Sequence, residues 1–220
     1  MRGRSTRQRK TRQSRKSRKH GGLTAFGPVL NLPPMRRGIP AGPVLFLLLA
    51  ACGDPNELPP ATQPSFVDTL DLWALSGTPV WQPSAFLVAE NRTARLDQTT
   101  VPDIGFEIRP DGQAVLMPAV LMGSPGSGGI NPGLQRTTTP FDSIDLAATE
   151  NYTTLDTVHV APGDVFYIRG RLIQSCFTGT PIYGKLEAIE IDDIERTLTF
   201  RVLVNRNCGY KSLETGLPNR

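Results

Sequence analysis

No aspartate or glutamate precedes Asp54, whereas 12 of the 24 lysines and arginines fall within residues 1–37. The net charge of +4 over the whole chain therefore misdescribes its larger part. From Cys52 onward 12 basic side chains face 20 acidic ones, and 12 − 20 = −8. A basic surface would attract nucleic acid; an acidic body excludes it as a partner of the mature protein. Histidine is scarce too, with two in the chain and only His159 in the body. With three cysteines and no Cys-x-x-Cys pair, a metal site lacks ligands. Also missing are G-x-S-x-G, H-E-x-x-H, a P-loop and a strand-to-helix G-x-G-x-x-G, so no cofactor and no catalytic residue is read from motifs. The expectation is a protein that is not an enzyme. Long apolar runs are absent as well: Ala41 to Leu49 falls far short of the roughly 20 residues that span a bilayer.

What is present begins with a basic segment, residues 1–34, opening MRGRSTRQRKTRQSRKSRKHGG. Without apolar periodicity it reads as a disordered basic leader, or as sequence upstream of a true start at Met35. From Met35 the chain runs MRRGIPAGPVLFLLLAACGD, with the cations Arg36 and Arg37, a short apolar stretch and then small residues. That three-part layout marks residues 35–51 as a secretory signal. Its ending, Leu49-Ala50-Ala51-Cys52, resembles the lipobox of bacterial lipoproteins. The resemblance implies that Cys52 receives a diacylglycerol, that the leader is cut just before it, and that the new amino terminus is acylated. More than one acyl chain satisfies the requirement for stable anchoring. The implied location is the bacterial cell envelope, periplasmic or on the outer surface, with a membrane as partner through the lipid on Cys52. The basic extension before Met35 departs from the family's pattern.

Residues 52–65 follow as a Pro-rich tether, GDPNELPPATQPS after the cysteine. Extended at roughly 3.1 Å per residue, such a spacer reaches about 40 Å. The body, residues 66–220, repeats with period two rather than 3.6. FVDTLDLWALSG and SAFLVAENRTARL each read as a strand. IGFEIRPDGQAVLMPAVLMG reads as a hairpin turning at Pro110-Asp111-Gly112, where proline presets φ and glycine accepts a positive one. Residues 123–140 form a Gly-, Ser- and Pro-rich loop. A short helical turn is expected around Ser143 to Ala148, then strands at Asp156–Val160 and Val165–Gln174. The last pair turns at Asp192-Asp193, with Leu186, Ala188, Ile189 and Ile191 apolar on one strand and Leu198, Phe200, Val202 and Val204 sharing a face of the other. The fold class is all-β: an antiparallel β-sandwich or partly open barrel of about seven or eight short strands, with no helix of ten residues or more.

With Cys52 acylated, Cys176 and Cys208 are left as an even pair at strand ends, in a chain exported to an oxidising compartment. A disulfide there is worth roughly 3–4 kcal/mol in the chain-entropy model. Exposed aromatic faces bind glycans by stacking, and Trp81, Tyr183 and Tyr210 are the candidates; Trp73, on a strand, is assigned to the core. His159 sits on an alternating strand as an ordinary side chain. The densest carboxylates are Glu187, Glu190, Asp192, Asp193 and Glu195. They fit a solvated hairpin edge that discourages sheet-to-sheet association. They lack the spacing of a calcium loop. The expected function is that of an exported, lipid-anchored envelope protein with a structural or ligand-binding domain, its partner an envelope glycan or protein. The alternative is an envelope glycan hydrolase that uses carboxylates of the 187–195 hairpin, Glu187 and Glu190 first, since paired carboxylates about 5 to 9.5 Å apart hydrolyse glycosides.

Overall fold

The computed structural model describes residues 58–99, 101–126, 128–174, 176 and 179–218. The leader, the signal segment and Cys52 lie outside the described residues. The rest is all-β. Strands β1 (Val67–Trp73), β2 (Ala85–Leu87), β3 (Arg92–Ala94), β4 (Ile104–Ile108) and β5 (Ala114–Pro118) are followed by β6 (Gly133–Thr137), β7 (Val158–His159), β8 (Val165–Arg169), β9 (Tyr183–Asp192) and β10 (Thr197–Asn205). They form two five-stranded antiparallel sheets, ordered β1-β10-β9-β8-β6 and β3-β2-β4-β5-β7. Neither closes into a barrel, so the architecture is the sandwich. Ten strands exceed the seven or eight expected because several are two or three residues long. The helical pieces among the described residues are 3-10 turns of three or four residues, and no helix there is long and apolar enough to cross a membrane.

Alternation along the strands builds the core. Leu198, Phe200 and Val202 of β10 are fully buried between the sheets with Leu186 and Ala188 of β9. Phe86 of the second sheet meets Phe200 edge-on, with ring centroids 5.4 Å apart, a favourable arrangement of aromatic quadrupoles. The inward rows of β9 do not stay in phase. Register moves from Thr199↔Glu190 to Phe200↔Ala188, so Ile189 is the extra residue of a β-bulge, 46% exposed. The bulge switches the inward parity from Leu186 and Ala188 to Ile191, which pairs with Leu198. Ile189 is thus not part of the apolar row.

A second, smaller core covers part of the first sheet's outer face. Phe141, Ile144, Ala147 and Leu213 pack there on Val165, Tyr183 and Leu203. The helical turn lies at Phe141–Ser143, just after Pro140 rather than at 143–148.

The turns follow local chemistry. In the β4–β5 hairpin the Gly112 N–H donates to the Arg109 carbonyl, and Gly112 has a φ of 82°. At the β9–β10 turn, Asp192 Oδ1 accepts the N–H groups of Ile194 and Glu195. Residues 84–96 are not one strand: Val88–Glu90 forms a 3-10 turn and Asn91 takes a φ of 51°, folding the segment into β2 and β3. Nor is 123–140 all loop. Leu134 is fully buried and draws Gly133–Thr137 into the edge of the first sheet beside β8. Glycine is needed at 133, because a Cβ would meet the Thr153 carbonyl oxygen at 2.8 Å.

The expected spacer ends early. Thr62 and Gln63 donate their N–H groups to Asn207 Oδ1 at 2.8 and 3.1 Å. Ser65 exchanges two backbone hydrogen bonds with Gly216. Residues 59–65 are therefore a strap docked on the domain, which begins near Pro59 rather than Phe66.

Candidate functional site

Because the second core covers only part of the outer face of the first sheet, the remainder is open at the end where β1 finishes and β10 begins. Leu72 and Ala74 point inward, 1% and 0% exposed, so strand parity turns Asp71 and Trp73 outward. Beside them stand Thr197 and Thr199 of β10 and Glu190 and Asp192 of β9, with Gln82 and Glu195 from the adjoining loops. Together these residues line a shallow groove of about 360 Å³. Thr199 Oγ1 donates to Asp71 Oδ1 at 2.6 Å, linking two of its walls. Trp73 is half-buried and its main-chain N–H is held by the Pro83 carbonyl. An indole beside several carboxylates and hydroxyls suits a ligand that offers hydroxyl donors and apolar C–H faces, as sugars do.

Glu187 is not at that groove. Its carboxylate is paired with the Arg201 guanidinium. Arg201 also reaches Asp142 at 3.1 Å and stacks 4.3 Å above the Phe141 ring. The pair Glu187 and Glu190 is therefore divided: one carboxylate is committed to a cation, the other lines the groove. Among the described residues, no three His, Cys, Asp or Glu side chains converge as ligands for a metal ion.

The aromatic candidates are not brought together. Trp81 projects from the loop before β2, 63% exposed. Tyr183 is 8% exposed within the second core, and Tyr210 is 3% exposed. Tyr210 donates its hydroxyl to the Pro59 carbonyl at 2.8 Å, fastening the strap. Neither tyrosine offers a face for stacking. Trp73 does, although its apolar bulk on a strand suggests core; parity with Leu72 and Ala74 is the signal that identifies it. His159 lies exposed on β7 at a sheet edge.

Cys176 and Cys208 are joined in a disulfide. It sits where the strap, the segment after β8 and the segment after β10 meet. Pro59, Pro60, Ile173, Arg206, Asn207 and Tyr210 enclose a cleft of about 420 Å³ there. Asn207 is the central connector: its Nδ2 donates to the Gln63 carbonyl at 2.7 Å and to Asn205 Oδ1 at 2.9 Å.

Two buried ionic groups brace the frame. Asp103 takes the Arg171 Nε–H at 2.8 Å and the Val88 N–H at 2.8 Å. Burial pushes its carboxyl pKa up, against the opposing pull of Arg171. Lys185, 5% exposed, donates to the carbonyls of Phe141 and Ile144 at 2.9 and 2.8 Å. Burial lowers its pKa, while Asp142 and Asp145 oppose that shift. Asp103 joins three connecting segments to one another, and Lys185 ties the segment before β7 to β9. In comparisons with known proteins, the chain matches no family model, no curated protein and no solved structure.

Proposed function

We propose that the chain is an exported, lipid-anchored protein of the bacterial envelope whose β-sandwich holds the Trp73 groove out as a binding surface for an envelope glycan. The observation that carries this reading is the disulfide between Cys176 and Cys208. It belongs to an oxidising compartment, agrees with the export signal before Cys52, and secures the segment against which the tether docks. The acidic, hydroxyl-lined groove with an indole wall supports a polyhydroxylated ligand. The pair named first for hydrolysis is split, since Glu187 is held by Arg201; Glu190 shares the groove with Asp192 and Glu195 instead, so turnover is a measurable alternative to binding.

The test has two parts. Cys52→Ser moves the protein from the membrane fraction to the soluble one; retention in the membrane would defeat the anchoring reading. On an array of envelope glycans, the wild type binds and Trp73→Ala binds at least tenfold more weakly. If the wild type instead releases sugar products and Glu190→Gln stops it, the hydrolase reading takes over.

A further inference from the structure

We infer that the strap end of the sandwich rests on the lipid surface itself, through Phe66, Leu146 and Leu217 with the cations Arg206 and Lys211, so that the Trp73 groove faces away from the membrane. The inference builds on the acylation of Cys52 proposed above.

The docked strap sets the geometry. Pro59 is held by Tyr210, and Thr62 and Gln63 by Asn207. The length of chain from Cys52 to the docked strap at Pro59 is therefore seven residues. At full extension those seven steps span about 23 Å, little more than half the reach of an unattached spacer of residues 53–65. A surface held that close to the bilayer by a covalent link meets it at high effective concentration.

This end offers the lipid suitable chemistry. Phe66, Leu146 and Leu217 are 52%, 66% and 59% exposed. The bridges Ser65↔Gly216 and Leu146↔Ser212 bring all three to the C-terminal segment, so the apolar side chains are grouped rather than scattered. Arg206 and Lys211 are exposed and form no ion pair with a described residue. Apolar side chains among charges of both signs, with Asp145 and Glu214 beside Arg206 and Lys211, suit the zwitterionic headgroup region of a bilayer.

Direction follows from β1. Its seven residues lead away from Ser65, and at about 3.3 Å per residue they place Trp73 about 20 Å farther along. Asp71, Glu190, Asp192 and Glu195 lie at that far end. At the strap end the exposed Asp145 and Glu214 offset Arg206 and Lys211, which leaves that end balanced while the far end is acidic. An anionic surface repels the far end more.

Tryptophan fluorescence tests the arrangement, since Trp73 and Trp81 both stand away from the strap. The acylated protein is reconstituted in phosphatidylethanolamine–phosphatidylglycerol vesicles in which part of the lipid carries a nitroxide near the headgroup. The wild-type emission is expected to stay within about a tenth of its value in unlabelled vesicles. Leu217→Trp adds a component that the nitroxide quenches at least twofold. Arg206→Trp gives the same result by a second route if Leu217→Trp folds poorly. Flotation of the vesicles separates the two readings. Protein left at the bottom of the gradient defeats acylation and this inference with it. Protein that floats with an unquenched Trp at both positions, or with quenched native tryptophans, overturns the orientation and leaves the anchoring intact.

Discussion

Asn207 shows how one side chain can stand in for a strand edge. Its amide accepts two main-chain N–H groups of the strap and returns a donor to the Gln63 carbonyl, and it is 8% exposed. Replacing it leaves partly buried partners unmatched, which costs roughly 1–3 kcal/mol. Asn207→Ala should lose about 2 kcal/mol in urea unfolding and become susceptible to proteolysis between residues 59 and 65. Asp103 makes a pH prediction. Its folded-state pKa lies above the value of 3.8, so between those two values the folded state holds more protons than the unfolded state. Its contribution to stability is fully present below 3.8 and is lost as pH rises through the folded pKa. The stability of the wild type relative to Asp103→Asn should therefore increase as pH falls from neutrality toward 4, measured by urea unfolding at each pH. No residue pattern announced either role, since Asp103 and Asn207 look like ordinary loop polars until distant chain covers them.

At the scale of elements, hairpins with strong turn chemistry were legible and interrupted strands were not. Pro110-Asp111-Gly112 and Asp192-Asp193 turn where expected because their φ preferences and side-chain acceptors act within a few residues. The β9 bulge was hidden, since an apolar Ile189 next to Ala188 looks like core until its pairing with β10 is known. Ile189→Lys should change stability by less than about 0.5 kcal/mol. Ala188→Lys, which sends a charge between the sheets, should prevent folding; circular dichroism and urea unfolding distinguish the two. The disulfide is also an element-scale brace, closing 32 positions of chain. A Cys176→Ala, Cys208→Ala double variant should lose roughly 3 kcal/mol, with a lower melting temperature in calorimetry. Strand β6 was missed because its composition is that of a loop, and only Leu134 and the neighbouring β8 draw it into the sheet.

At the scale of the whole molecule, charge separates residues 1–51 from the rest of the chain. The full chain has a pI near 9.2, while the part from Cys52 onward carries −8 by the count 12 − 20. On the proposed cleavage before Cys52, isoelectric focusing should place the exported protein well on the acid side of neutrality; a basic focusing position would defeat the cleavage. Period-two alternation determined the all-β class, the sum of charges determined the acidity of the body, and the Leu49-Ala50-Ala51-Cys52 motif carried the lipobox resemblance. These are local or additive properties, carried by neighbouring residues or by sums over them; the expectation that Cys176 pairs with Cys208 rested instead on setting Cys52 aside. Only the tertiary structure decided that the sheet face at Trp73 stays uncovered while Tyr183 and Tyr210 are buried, that Glu187 belongs to Arg201, and that the chain docks from Pro59. Each of these depends on which distant segment covers a given face of a sheet, and that follows from long-range register and packing rather than from the identity of nearby residues.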